Sequence, residues 1–310
     1  MTAFRTNELG TNGMHSDEPN QPSAALRLGI APHRLWPDDD VELDGIIETA
    51  RTAEQLGFDH LIAGSHVLAG DLGVTPDPLI TLSAIAGATS RIGIATSVLI
   101  LPLYNPVVLA HQAATLDRLS RGRFALGVGT GWDRAEFDAV GEPFAARGKR
   151  MDEQLAVLGS LWRGESTELR IGVAPRTAGG PPVWVGGQSD AALRRAVRFG
   201  SVWHGSVSGP EELRRIRNRL AELAETSGID RDPPGLTSVA FIVPPGFGAI
   251  GRDPGRLLGG PQASAATIVD ELGALHEAGL DACSIWLPVP TPEFADAIGW
   301  VAQQVIPQLH

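Results

Sequence analysis

Residues 92–132 read IGIATSVLILPLYNPVVLAHQAATLDRLSRGRFALGVGTGW. The apolar run over 92–101 has the length of a strand and the Ile, Leu and Val content of one buried on both faces. Asn105-Pro106 then marks a helix start, because proline has no N–H to leave unpaired in a first turn. The stretch NPVVLAHQAATL carries a helical pattern, and a second strand-like run, RFALGVGTGW, ends in alternating glycines. Strand, helix and strand in this order make a βαβ unit, the building block of parallel α/β folds.

The same unit recurs outward in both directions. Further apolar runs are LRLGIAP, FDHLIAGSHV, PPVWVGG, GSVWHGS, LTSVAFIVPP and DACSIWLPVP, which makes eight with the two above. Between them lie helical patterns. Over Glu42–Leu56 the residues Ile46, Ile47, Ala50, Ala53 and Leu56 share one face. Asp77-Pro78 and Thr291-Pro292 repeat the start signal of Asn105-Pro106, and Gly57, Gly200, Gly228 and Gly279 are placed to end helices. Eight strands alternating with about eight helices predict a (β/α)8 TIM barrel, an α/β single domain over residues 26–310. A doubly wound open sheet is the competing architecture. Polar residues and glycine recurring at nearly every strand's C-terminal end favour the barrel. Residues 244–262, PPGFGAIGRDPGRLLGGPQ, are expected to form an active-site lid, and residues 1–25 a disordered tail.

Composition bounds the function. Of 310 residues, 43% are hydrophobic, so a large core is available. Asp and Glu number 36 against 25 Lys and Arg, a net charge of −11 with no basic run, which argues against nucleic acid or an anionic membrane as partner. No apolar run approaches the ~20 residues that span a bilayer. The first 25 residues lack the basic start and apolar core of a secretion signal. A single cysteine, Cys283, excludes an internal disulfide framework and suits a reducing cytoplasm. It falls in the last strand, where core packing is the expected role.

A barrel works at the C-terminal ends of its strands. Those ends carry His33, Ser65-His66, Thr96-Ser97-Val98, Gly129-Thr130-Gly131-Trp132, Gly186-Gly187-Gln188-Ser189 and Trp203-His204. Gly127 and Gly129 begin a G-x-G-x-x-G dinucleotide fingerprint, but Trp132 stands where its last glycine belongs. No i, i+4 histidine pair or Cys/His spacing points to a metal, and no G-x-S-x-G elbow points to a serine hydrolase. The stretch PPVWVGGQSDAALRRA fits a phosphate turn at a helix start and equally an ordinary glycine turn capped by Ser189. His33 reads as a strand cap or a catalytic group, and His204 as a structural or a site residue. His111 lies within a helical run, and Tyr104 is expected to pack against the third helix.

The segments AEQLGFDHLIAGSHV, TSVLILPLYNPVVLAHQAATLDRLSRGRFALGVGTGW, RGKRMDEQLAVLGSLW and PPVWVGGQSDAALRRAVRFGSVWH resemble the luciferase-like monooxygenase superfamily. The likeness runs from Leu26 to about Leu309 and is closest to the branch that uses coenzyme F420. It implies hydride transfer between reduced F420 and a small organic substrate. FMN-dependent oxygenation with molecular oxygen is the alternative, and a non-catalytic flavin-binding protein a third reading. The resemblance places a non-proline cis peptide at Ser97-Val98 behind the cofactor ring and makes His66 the catalytic histidine. It brings Gly127, Gly129, Thr130 and Gly131 against the ring and its side chain, and gives Gly186, Gly187, Gln188 and Ser189 the phosphate. His33, Trp132 and His204 would line the substrate pocket. Relatives acting on sugar phosphates carry an acid where this chain has Trp132, so an apolar substrate wall is expected instead. A homodimer built on Asp77–Ala88 and Asn105–Leu119 is also expected.

Overall fold

A computed structural model describes residues 25–33, 44–69, 75–206, 209–229, 232–249 and 256–309. The expected tail, apart from residue 25, lies outside these residues, as do residues 250–255 of the expected lid.

The strands are β1 (Arg27–Ile30), β2 (His60–Ala63), β3 (Gly93–Thr96), β4 (Leu99–Ile100), β5 (Phe124–Gly129), β6 (Val183–Gly186), β7 (Val202–Ser206), β8 (Gly235–Phe241) and β9 (Ala282–Trp286). Their order is β3-β2-β1-β9-β8-β7-β6-β5-β4, every neighbour is parallel, and β3 also pairs with β5. That last pairing closes the sheet. Because β3 and β4 are two halves of one run interrupted at Ser97-Val98, the barrel has eight staves, as the eight apolar runs predict. The helices are α1 (Ile46–Leu56), α2 (Pro78–Ala88), α3 (Pro106–Leu119), α4 (Arg134–Val140), α5 (Arg147–Arg163), α6 (Asp190–Phe199), α7 (Pro210–Ser227), α8 (Ala265–Glu277) and α9 (Phe294–Gln304). Eight of them follow the staves in turn. The extra one, α4, is a short helix in the loop after β5 and therefore at the barrel mouth.

Local signals act as expected at two of the three proline starts. Asp77 accepts from the N–H groups of Leu79 and Ile80, both at 2.9 Å, and Asn105 from those of Val107 and Val108 at 3.0 and 3.2 Å. Thr291-Pro292 instead opens a 3-10 turn over Thr291–Glu293. Helix α9 begins only at Phe294 and has no side-chain cap.

The core has two parts. The larger lies between staves and helices. The smaller fills the barrel with Ala31, Ile62, Ala95, Ala125, Trp184 and Trp286, two large rings offset by small side chains. His60 also points inward. Its Nε2 lies 2.8 Å from Ser284 Oγ, and Trp184 meets the ring edge-on at 5.8 Å. A Cβ at Gly29 would sit 2.1 Å from His60 Nε2, so only glycine leaves room for this ring. Burial pushes the His60 imidazole down to about 3. Cys283 is buried in β9, its thiol pushed up to about 12 by burial, which suits packing rather than nucleophilic chemistry.

Candidate active site

The alternating glycines of β5 acquire a definite neighbour. The Ser97-Val98 peptide is cis, as the resemblance implies, and the segment 96–100 lies directly on β5. A Cβ on Gly127 would come within 1.9 Å of Thr96 O, and one on Gly129 within 2.8 Å of Val98 Cγ2. One on Gly131 would meet Ile100 Cγ2 at 2.6 Å and the Phe137 ring at 3.0 Å. The space a side chain would take at each of these glycines is thus occupied by the neighbouring stave or by α4. The missing side chains let Val98 settle over Gly129 and Gly186, where it stays half-buried and forms an apolar shelf in the mouth. Thr130, just past β5 between Gly129 and Gly131, is partly exposed.

Ser97 is held from below. Its Oγ lies 2.8 Å from His204 Nε2, and His204 Nδ1 lies 2.7 Å from Thr237 Oγ1. Thr237 in turn donates to Trp203 O at 3.3 Å. With that hydroxyl proton so directed, Thr237 accepts Nδ1–H, and Nε2 accepts the Ser97 proton. His204 is buried beside Trp184 and pushed down to about 4 by burial, so it is neutral near pH 7. Both its nitrogens are occupied by protein, and one of them holds Ser97 in place. His33 is likewise buried, edge-on to Trp286 at 5.7 Å.

His66, just past β2, is the rim histidine that reaches solvent, with its side chain 22% exposed. Its Nδ1 lies 3.3 Å from both oxygens of Glu136 on α4, a carboxylate only 1% exposed. Glu136 Oε1 also accepts from the Val67 N–H at 2.5 Å. Trp132 meets the His66 ring edge-on at 5.6 Å and is itself 64% exposed. With the exposed Val67 and Leu68 it forms an apolar collar around the imidazole. Tyr104 is part of this cluster and does more than pack. Burial together with the charges of Asp77 and Glu136 raises its phenol above the ordinary tyrosine range.

Glu136 and Tyr104 were not legible as site residues. Asp133-x-x-Glu136 has the spacing of a capping box, in which the glutamate turns back to its own helix start. Here Asp133 does cap, accepting from Ala135 N at 2.9 Å, while Glu136 reaches across to residues 66 and 67. The one available signal is its position beside Phe137 on the buried side of α4, where an unpaired carboxylate would be costly.

The turn after β6 runs from Gly186 to Ser189 and leads directly into α6. Gly187 has φ +117°, a value that favours glycine, and Ser189 caps α6 by accepting from Ala192 N at 3.3 Å. Gly187 N donates to His204 O, Gly187 O accepts from Trp203 Nε1 at 2.8 Å, and Gln188 Nε2 donates to Ser206 O. These bonds fix the turn; of the first-turn N–H groups of α6, which have no acceptor within the helix, that of Ala192 is taken by Ser189. Asp190 would oppose an anion there, but its carboxylate is paired with Arg194 at 3.0 Å and Arg219 at 2.9 Å, which hold it below the ordinary aspartate range. Among the described residues, no group of three or more His, Cys, Asp or Glu side chains is placed to hold a metal ion.

A parallel barrel with a cis-linked shelf, a glycine turn on the fifth stave and a histidine on the second is a specific combination. The family model for luciferase-like monooxygenases matches residues 28–245. The chain belongs to the luciferase-like monooxygenase family. Among curated relatives of this luciferase-like chain, an uncharacterized Mycobacterium tuberculosis protein is 34% identical over 160 residues, 49% of this chain and 55% of that one. An FMNH2-dependent dimethylsulfone monooxygenase from Pseudomonas fluorescens is 29% identical over 57% of this chain and 51% of that one. The chain thus spans about half the length of the curated relatives it matches. Among solved structures, an F420-dependent secondary alcohol dehydrogenase in complex with an F420-acetone adduct superposes with a TM-score of 0.75. That likeness covers 93% of this chain and 100% of that one at 18% identity, and it shows the shared fold. Among the described residues of this luciferase-like chain, no helix is long and apolar enough to cross a membrane.

Proposed function

We propose that this chain is an oxidoreductase that binds reduced coenzyme F420 in the barrel mouth and passes hydride to a small, largely apolar organic substrate. The observation that carries the reading is the Val98 shelf lying between the anion cradle at Gly186–Ser189 and the His66 collar. A planar ring with a phosphate-bearing side chain needs those three surfaces together. Ser97, oriented by His204, would take part in holding the cofactor. Gly187, Gln188 and Ser189 would take the phosphate. Gly127, Gly129, Thr130 and Gly131 serve the site through the shelf they let form.

When bound, a reduced deazaflavin supplies a hydride and is left oxidised. This chain's residues would supply the rest. His66 gives a proton to the substrate oxygen as hydride arrives at the adjacent carbon, or takes that proton in the reverse direction. Trp132, Val67 and Leu68 press an apolar substrate against the ring and exclude water. Residues 244–262, which follow β8 in the chain, are proposed as the lid. The described part of that segment is anchored by the buried Leu258, whose N–H donates to Phe241 O at 2.9 Å.

A second reading, FMN-dependent oxygenation, is favoured by the FMNH2-dependent relative. FMN carries a phosphate too, so the cradle serves either cofactor. The deciding experiment titrates the purified protein with F420 and with FMN in parallel and follows fluorescence quenching. Saturable F420 binding with weak FMN binding is expected. The reverse order would replace the first reading by the second, and no binding of either would leave the third, non-catalytic reading to be refuted as well.

A homodimer is also proposed, with its basis revised. The alanines of α3 that suggested it, Ala110, Ala113 and Ala114, are buried within the chain's own core. On these two helices the exposed apolar groups are Ile80, 74% exposed on α2, and Val107, Val108 and Leu119 on α3. Apolar side chains so placed are suited to cover against a second copy.

A further inference from the structure

We propose that Glu136 is the positioning residue for His66, fixing the imidazole as its Nδ1–H tautomer and leaving Nε2 to the reactants. The proposal rests on the reading of His66 just given and deepens it.

The geometry carries it. Glu136 is almost wholly buried, and among the described residues its ion-pair partner is His66. A carboxylate removed from water must be hydrogen-bonded, and its oxygens accept only. Oε1 takes the Val67 N–H, and both oxygens lie 3.3 Å from His66 Nδ1. The proton between them therefore belongs to Nδ1. Because Nδ1 is turned toward buried Glu136 while part of the side chain stays exposed, Nε2 is the nitrogen available at the mouth. Trp132, edge-on to the ring, limits its rotation. A neutral imidazole fixed in this way presents a lone pair at Nε2, ready to take a proton. Once protonated, it presents N–H at the same point, and the carboxylate stabilises the cation. This is the division of labour between an acid–base histidine and the carboxylate behind it. Here the carboxylate comes from a short helix 70 residues away in the chain, inserted in the loop after β5.

Glu136→Gln is the informative variant. The amide oxygen can still accept from Val67 N, so the turn keeps its anchor. Its NH2 now donates to Nδ1, which forces the opposite tautomer, Nε2–H. The primary measurement is the tautomer of His66 in 15N-labelled protein without cofactor. Long-range 1H–15N spectra are recorded in alkaline buffer above the ordinary imidazole range, and His66 is assigned by its loss in His66→Asn. Protonated Nδ1 in the native protein and protonated Nε2 in Glu136→Gln are expected. Native protein with protonated Nε2 overturns the proposal, whatever the variant does, and so does an unchanged tautomer in a folded Glu136→Gln. With cofactor bound, Glu136→Gln should lower turnover by about 10²-fold or more while cofactor affinity stays within about threefold. Equal losses of affinity and turnover would also overturn it, because they mark a merely structural contact. F420 and FMN titrations on the same samples separate the two levels. A tautomer switch in a protein that binds neither cofactor keeps the Glu136–His66 pair and removes the function proposed for the site.

Discussion

Replacing Gly127 by alanine tests how the shelf is built. The new Cβ would lie 1.9 Å from Thr96 O, a backbone atom, where ordinary contact needs about 3.4 Å. Neither group is the end of a flexible side chain, so β3 and β5 must separate by more than about 1 Å. Overpacking of this kind costs ~1–3 kcal/mol and more when backbone has to move. The Thr96 Oγ1 bond to Gly127 O, 2.6 Å long, is disturbed as well and adds about 1 kcal/mol. The expected loss is about 3–5 kcal/mol, a large share of a total stability of roughly 5–15 kcal/mol. At ~2.1 cal/mol/K per residue, a chain of 310 residues melts about 5–8 °C lower for that loss. Gly129→Ala meets the Val98 side chain at 2.8 Å, which can turn, so about 1–3 kcal/mol is expected. Gly299→Ala is the internal control. It lies in α9 with nothing within 4 Å of a new Cβ, and alanine in a helix gains about 0.5–1 kcal/mol over glycine. The assay is urea unfolding at fixed pH, with thermal melting alongside. A Gly127→Ala protein within a degree of the parent would refute the reasoning, since the stave could then not be lying where its carbonyl blocks a side chain.

Further outcomes are expected at the site and beyond it. Gly187→Val should weaken cofactor binding far more than Ser189→Ala. The first meets a positive φ and Ala192 Cβ at 3.0 Å, the second removes one helix cap worth ~1 kcal/mol; equal affinities by fluorescence titration would contradict the cradle. His66→Ala should reduce turnover by ~10²–10⁴-fold with cofactor still bound, and His66→Gln should recover part of it if hydrogen bonding suffices; steady-state rates at full activity would remove His66 from the chemistry. His204 is held at about 4 in the folded state against about 6.5 unfolded, so the unfolded chain takes the proton first as pH falls. Its contribution is complete above about pH 6.5 and lost on the way down to about pH 4, on the order of 3 kcal/mol. His204→Gln should therefore flatten the pH dependence of the urea midpoint over that window, and an unaltered slope would show that His204 does not carry it. Ile80→Asp should shift light-scattering mass from two chains to one, and a parent protein already monomeric at micromolar concentration would dismiss the dimer.

Glu136 marks the boundary between what local sequence carries and what it does not. The eight staves were legible because burial on both faces demands runs of Val, Ile and Leu, a requirement that each strand meets alone. Asp77 and Asn105 were legible as caps because a cap bonds to N–H groups two and three residues away, within the reach of local pattern. The motifs GGQSD and TSV were legible as strand ends from the residues that close their apolar runs, and the structure sets both at the C-terminal ends of staves; only the roles given to them came from the resemblance. Thr291 shows the limit of even a local signal, since its helix starts three residues later behind a 3-10 turn. Periodicity says that a residue faces inward, but not what it meets there. Which atom lies on Gly127, which carboxylate backs His66, and which groups saturate His204 are settled by the register of neighbouring staves and by where an inserted helix comes to rest. Those pairings join residues 31 to 107 positions apart, such as Thr96 with Gly127, His66 with Glu136 and Ser97 with His204. They form only when the barrel closes, because closure is what brings the ends of separate strands onto one rim.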